Sequence, residues 1–174
     1  FRERNMTFAC FMQNEIAAFA GEAAAEDIYW CAPWNDPRAP RILKGEEAVR
    51  RFTEGRVNKF VCIERDREQL QALGRRLETL PGLEITSSWA DNYELMPQGV
   101  SKGRAVKELA EKMGIGPDQV MTVGDFDNDL SMIEYAGYGT AMGNATPKVK
   151  AAAKYVTLTN DEDGVAAAIR KYVL

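Results

Sequence analysis

From Pro97 to the C-terminus the apolar pattern alternates helix, strand, helix, strand, helix, strand, helix, a rhythm that restricts this part of the chain to a parallel sheet covered by helices. Adjacent parallel strands require a crossover, and each intervening helix supplies one. Ser101 can cap the first helix, whose expected buried face is Val106, Leu109, Ala110 and Met113 and whose end is marked by Gly114 and Pro117. Residues 120–123 read as a strand, 127–136 as a short helix ended by Gly137, and 138–142 as the next strand. Thr146-Pro147 pairs an N-cap with proline at the first helical position of a helix ending near Ala153. Residues 155–158 form the last strand, and a final helix starts at about Asp163.

Before Pro97 the pattern differs. Residues 6–12 are an apolar run that predicts a buried strand, and residues 15–20 read either as its hairpin partner or as the start of a helix. Pro33, Pro37 and Pro40 flank Trp34, Asn35 and Asp36, which predicts a loop. Trp30 and Trp34 are expected to pack locally, with a substrate entrance as the alternative. Residues 59–64 predict a short strand. Asp66 and Gln69 form a capping-box signal for a helix carrying Leu70, Leu73, Leu77 and Leu80 on one face and stopped by Pro81-Gly82. Leu83, Ile85 and Trp89 alternate as in a strand, Asp91-Asn92 supply a turn, and residues 93–96 return as a second strand. The first 96 residues thus read as α+β and residues 97–174 as α/β, with a boundary near 97–100.

At 174 residues and 45% apolar content the chain can bury the core of one ordinary domain or two small ones. Its 22 basic and 26 acidic side chains give a net charge of -4 with no long like-charge run, which argues against a nucleic-acid partner. No apolar run reaches the roughly 18 residues of a membrane span, so no membrane partner is expected. Cys10, Cys31 and Cys62 are widely spaced and the chain has no histidine, which points to reduced, cytoplasmic thiols and away from a soft-metal site. The chain opens on Phe1, as a processed or truncated product would.

The most informative string is Gly124-Asp125-Phe126-Asp127-Asn128-Asp129, carboxylates and an amide just beyond the C-terminal end of an apolar strand, where open α/β sheets place their sites. Such hard oxygen ligands suit magnesium, which keeps several waters and uses few protein carboxylates. Asp127 is expected to cap the following helix in water, whereas Asp125 precedes the cap position and has no such duty. Asp125, Asp127 and Asp129 also match the first ligand positions of a calcium loop, but Leu130 and Ala136 stand where that loop needs glycine and glutamate. Lys102 lies in the first turn of its helix, the unfavourable end of the dipole for a cation. A phosphate bound at that helix start would account for it.

Taken together, Met96-Pro97-Gln98-Gly99-Val100-Ser101-Lys102-Gly103 and the stretch from Val123 to Ile133 resemble the haloacid dehalogenase superfamily, in its Cof-type sugar-phosphatase-like branch. Ala141-Met142-Gly143-Asn144-Ala145 and Thr159-Asn160-Asp161-Glu162-Asp163-Gly164-Val165 extend the resemblance. It implies a partial Rossmann-like parallel core at 97–174, preceded by an α+β cap at 1–96, and magnesium-dependent hydrolysis of small phosphorylated metabolites. It further implies that Lys102 binds phosphate, Asp125 ligates the metal, Asn128 contacts phosphate or substrate, and Asp129 is a second, water-mediated metal partner.

The chain departs from that pattern at one decisive place. The family's nucleophile and acid/base are the aspartates of an Asp-x-Asp-Gly motif preceding the cap, and no such string occurs before residue 97. Asp161-Glu162-Asp163-Gly164 has the letters, but it follows the lysine and metal motifs, and Asp163 is expected to cap the last helix. The expectation is a fragment lacking the nucleophilic aspartate and self-associating through an incomplete core sheet. The alternative is a non-catalytic metal- or phosphate-binding or interaction module.

Overall fold

The computed structural model describes residues 6–12, 15–19, 41–43, 45–54 and 56–174. The tryptophans Trp30 and Trp34, the prolines between them and Arg41, Cys31 and Phe1 lie outside the described residues. The chain divides into two compact units, Phe1–Gln98 and Gly99–Leu174.

The first unit contains a six-stranded sheet in the order β3-β2-β1-β4-β6-β5, formed by β1 (Thr7–Phe11), β2 (Glu15–Phe19), β3 (Arg41–Leu43), β4 (Lys59–Ile63), β5 (Leu83–Thr86) and β6 (Asn92–Pro97). All pairings are antiparallel except β2 with β3. Residues 15–19 therefore take the hairpin alternative, with Phe8 opposite Phe19 and Phe11 opposite Ile16. Helix α1 (Gly45–Glu54) was not anticipated; Glu46 and Glu47 in its first turn, favourable to the helix dipole, are the signal that was available.

Helix α2 (Arg67–Leu77) starts at Asp66, whose Oδ1 accepts from the backbone N–H of Glu68 at 2.9 Å and of Gln69 at 3.2 Å. The capping box closes differently from the usual pattern. Gln69 donates to the Asp66 carboxylate, and the Asp66 N–H goes instead to Glu64 Oε1. Leu70, Leu73 and Leu77 are buried, but Leu80 is 48% exposed. The helix ends before it: Thr79 and Leu80 N–H groups bond to carbonyls three residues back, which tightens the winding and turns Leu80 off the stripe. The core of this unit joins Met6, Cys62, Leu73, Leu77 and Leu95, and Phe8 stacks on Phe60 with centroids 5.0 Å apart. Asn92 opens β6 rather than completing a turn, its buried Oδ1 accepting the Ser88 and Trp89 N–H groups. That bonding draws residues 88 and 89 into a bend, so Trp89 is not a strand residue.

The second unit is a three-stranded parallel sheet in the order β7-β8-β9, made of β7 (Met121–Gly124), β8 (Tyr138–Ala141) and β9 (Tyr155–Val156). It is accompanied by α3 (Lys102–Met113), α4 (Leu130–Tyr135), α5 (Pro147–Ala152) and α6 (Gly164–Tyr172), so this part is α/β. Ser101 Oγ accepts the Arg104 N–H at 3.1 Å, and Gly114 closes α3 in the left-handed region at φ 69°. The buried face of α3 is not the expected one. Gly103 and Ala110 are buried, with Val106 beside them, while Leu109 and Met113 are 59% and 64% exposed. The reason is close packing, because a Cβ on Gly103 would collide with the backbone carbonyl of Ser131 at the start of α4. A helix approaching this closely presents its smallest residues, not its largest ones. Ile133, Ala141, Met142, Ala145 and Val149 form the main core here, and Tyr138, Tyr155 and Tyr172 join α6 to the strands by ring contacts at 4.4 to 6.3 Å.

Cys10 and Cys62 are free and buried, and desolvation pushes both thiols up to about 12, assisted at Cys62 by the charge of Glu64. Both should therefore stay protonated and inert at pH 8. In a Cys31→Ser variant, a disulfide-exchange reagent at pH 8 should titrate no thiol in the native protein and both after denaturation. Rapid native labelling would contradict the burial.

Candidate phosphate and cation site

Because β7, β8 and β9 are parallel, their C-terminal ends share one edge, and the loops that follow them meet there. Backbone bonds stitch these loops together. Met142 N–H donates to Gly124 O at 2.9 Å, Thr146 N–H to Asp125 O at 3.0 Å, and Gly143 N–H to Leu158 O at 2.9 Å.

Asp129 organises this edge. It is 4% exposed, and its Oδ2 accepts the backbone N–H groups of Asp125 at 2.9 Å and Phe126 at 3.2 Å. Its Oδ1 pairs with Lys102 Nζ at 2.5 Å. A buried carboxylate with a cation and two N–H donors is compensated on every side. The position of Lys102 at the start of α3 thus has a counter-charge within the chain, a partner that the spacing alone did not reveal. The ammonium is half-exposed and has three donors, so the pair does not exhaust it.

Gly124 makes room for this arrangement, since a Cβ there would lie 2.6 Å from Asp129 Cγ. The turn Asp127–Asp129 is a short 3-10 segment leading into α4. Asp127 pairs with Lys148 of α5 at 3.0 Å, and so serves a surface ion pair. Asn128 Oδ1 is buried without a hydrogen-bond donor. Asp125, the residue singled out for metal, is exposed; its Oδ2 accepts from Asn144 Nδ2 at 3.3 Å, and no donor among the described residues reaches Oδ1. Asn144, to which the sequence pattern assigns no role, lies in the loop after β8 as Asp125 lies in the loop after β7.

Among the described residues no group of three or more carboxylates or thiols converges as a complete metal cage. What Asp125 offers is one unshared carboxylate oxygen. That fits a cation which takes most of its shell from water and a bound phosphate, as magnesium does, and not one requiring several nitrogen or sulfur ligands, such as zinc. Both Asp129 oxygens are already engaged by the chain.

The Asp161–Gly164 string forms a turn. Glu162 Oε2 accepts from the Thr159 N–H at 3.2 Å and from its hydroxyl at 2.7 Å, and the Gly164 N–H donates to Thr159 O. Asp163 occupies the N-cap position of α6 at φ 56°, yet its side chain makes no capping bond. The turn between β9 and α6 requires that left-handed residue, which Asp tolerates better than most.

A parallel sheet with a lysine at a helix start and carboxylates beyond its strand ends offers an anion and a hard cation adjacent places at one sheet edge. Residues 44–169 match the haloacid dehalogenase-like hydrolases, and the chain belongs to that family, in its Cof-type branch. It is 50% identical over 92 residues to 5-amino-6-(5-phospho-D-ribitylamino)uracil phosphatase YcsE of Bacillus subtilis, covering 53% of this chain and 37% of that protein. It is 39% identical over 116 residues to pyridoxal phosphate phosphatase YbhA of Escherichia coli, covering 67% of this chain and 43% of the relative. A solved haloacid dehalogenase-like hydrolase from B. subtilis superposes with a TM-score of 0.82 at 30% identity, over 99% of this chain and 67% of that one. The match thus spans less than half the length of each of these two curated relatives.

Gly124→Ala should destabilise the second unit by about 1–3 kcal/mol, because the new methyl must displace the Asp129 carboxylate from its donors. Urea unfolding compared with the parent chain measures this. An unchanged midpoint would show that the Asp129 contact is not confining.

Proposed function

We propose that this chain is part of a magnesium-dependent phosphatase acting on small phosphorylated metabolites, sugar phosphates or similar, with residues 97–174 as the C-terminal half of the hydrolase core and residues 1–96 as an α+β cap. The carrying observation is the Lys102–Asp129–Asp125 arrangement, in which one buried carboxylate orients both a half-exposed ammonium and the loop that presents a carboxylate with one unshared oxygen.

In this reading the Lys102 ammonium and the Asn128 amide meet the phosphoryl oxygens, and Asp125 holds the cation. Asp129 acts through the other two, fixing the ammonium by charge and the Asp125 backbone by hydrogen bonds. Magnesium, when bound, would add neutralisation of the phosphoryl charge. Lys102 contributes its part as a point charge that remains half in solvent. The names of the relatives support the substrate class, since both are phosphatases of small phosphorylated compounds.

The attacking aspartate is assigned to sequence other than residues 1–174. The Asp161–Gly164 string supports this by forming a turn before α6 rather than following a strand directly. With the attacking aspartate assigned elsewhere, this polypeptide alone is expected to bind without turnover, which is the second reading. The purified chain should accordingly hydrolyse p-nitrophenyl phosphate no faster than buffer with magnesium present. It should still bind magnesium and inorganic phosphate, and lose this binding in Asp125→Asn and Lys102→Ala variants. Robust magnesium-dependent hydrolysis abolished by Asp163→Asn would replace this reading with a permuted nucleophile.

Val165 and Ile169, exposed one turn apart on α6, with exposed Val173 just past its end, support self-association of the chain. Sedimentation should show concentration-dependent assembly; a monodisperse monomer with a high melting temperature would refute it.

A further inference from the structure

Asp125 is the residue on which the proposed cation site depends, yet it is an exposed side chain at the end of a strand. Its orientation must come from a neighbour, and among the described residues one side chain donates a hydrogen bond to its carboxylate, the Asn144 amide, whose Nδ2 lies 3.3 Å from Oδ2. Asn144 is itself held from the other side, with its Oδ1 accepting the backbone N–H of Asn160 at 2.9 Å. An N–H can only donate, so the oxygen of the amide must face Asn160 and the NH₂ must face Asp125. The amide cannot flip without breaking both contacts.

The surrounding backbone fixes where this amide sits. Gly143 N–H bonds to Leu158 O at 2.9 Å and Ala145 N–H to Met142 O at 3.0 Å, while Thr146 N–H ties the same loop to Asp125 O at 3.0 Å. A Cβ at residue 143 would lie 2.7 Å from Thr159 N, so only glycine lets the β8–α5 loop approach the β9–α6 loop this closely. Thr159 is fixed in turn by the Glu162 carboxylate. A continuous chain of contacts therefore runs from the β9–α6 turn through Asn144 to one oxygen of Asp125.

We propose that Asn144 is a positioning residue for Asp125. Its NH₂ occupies Oδ2, leaves Oδ1 as the oxygen presented to a cation, and makes cation affinity depend on the Asn160 N–H one loop away. The proposal rests on the reading of Asp125 as the cation ligand. It assigns the turn between β9 and α6 a role in the site through a backbone N–H rather than a side-chain hydrogen bond to Asp125.

Magnesium titration of the full chain, followed by the amide NMR signals of residues 124–130 and paired with thermal melting, tests this. Asn144→Ala should weaken magnesium binding about tenfold or more, the usual effect of losing a group that orients a metal ligand, with an unchanged melting temperature. Asn160 is the first residue of its 3-10 turn, after an extended Thr159, so proline fits there and, compared with Asn160→Ala, removes the N–H. Asn160→Pro should therefore weaken binding in the same direction, whereas Asn160→Ala, which keeps the N–H, should bind as the parent does. Parent-like affinity in both Asn144→Ala and Asn160→Pro would overturn the role of Asn144 while leaving Asp125 as ligand. Failure of the parent chain to bind magnesium, or undiminished binding by Asp125→Asn, would overturn the cation reading and this inference with it.

Discussion

The second unit is organised around one buried carboxylate. Asp129 is nearly inaccessible, and an uncompensated charge there would cost several kcal/mol. Compensation comes from three directions: the Lys102 ammonium on α3 and the N–H groups of Asp125 and Phe126 in the loop after β7. Satisfying that charge therefore fixes the start of α3 relative to the end of β7. The requirement reaches further, since Gly124 must lack a side chain beside Asp129 and Gly103 must lack one beside Ser131. The site is a consequence of where this charge was buried.

Around it the structure uses backbone rather than side-chain contacts to align its loops. Three N–H groups, from Met142, Gly143 and Thr146, connect the loop after β8 to those after β7 and β9. Backbone bonds of this kind carry little sequence specificity but hold position well, because each freezes no additional long side chain. Polar side chains are then free for chemistry. Asp125 keeps one oxygen without a donor, and Lys102 keeps donors in solvent.

The first unit follows different physics. Its core is a sheet face covered by the leucines of α2, with Cys10 and Cys62 serving as small buried hydrophobes whose thiols burial keeps protonated. Polar groups that the sheet buries are paired locally, Asn92 with the Ser88 and Trp89 backbone and Glu94 with Lys59 and Ser88. These networks hold a strand and its turn in register and explain why Asn92 belongs to β6 and not to the bend.

Element type along the chain was legible because each helix and strand in the second unit carries local signals: Ser101 and Thr146 as caps, Pro147 at a first position, Gly114 in the left-handed region. The strand-end rule singles out Asp125, and the helix-dipole argument singles out Lys102, as candidates. Faces were less legible. Apolar spacing assigned Leu109 and Met113 to the interior of α3, whereas contact with α4 at Gly103 and Ala110 turned them outward. Asp163 was placed correctly at the head of α6 but for a side-chain bond it does not make. By itself, then, the sequence determined the order of elements, the parallel rhythm and the residues that could serve phosphate and a cation, since propensity, capping and patterning act over a few neighbouring residues. Only the tertiary structure decided that Lys102 is paired with Asp129 and that Asn144 holds Asp125. Those contacts join residues 27 and 19 positions apart, and such pairings are set by packing, which no local pattern records.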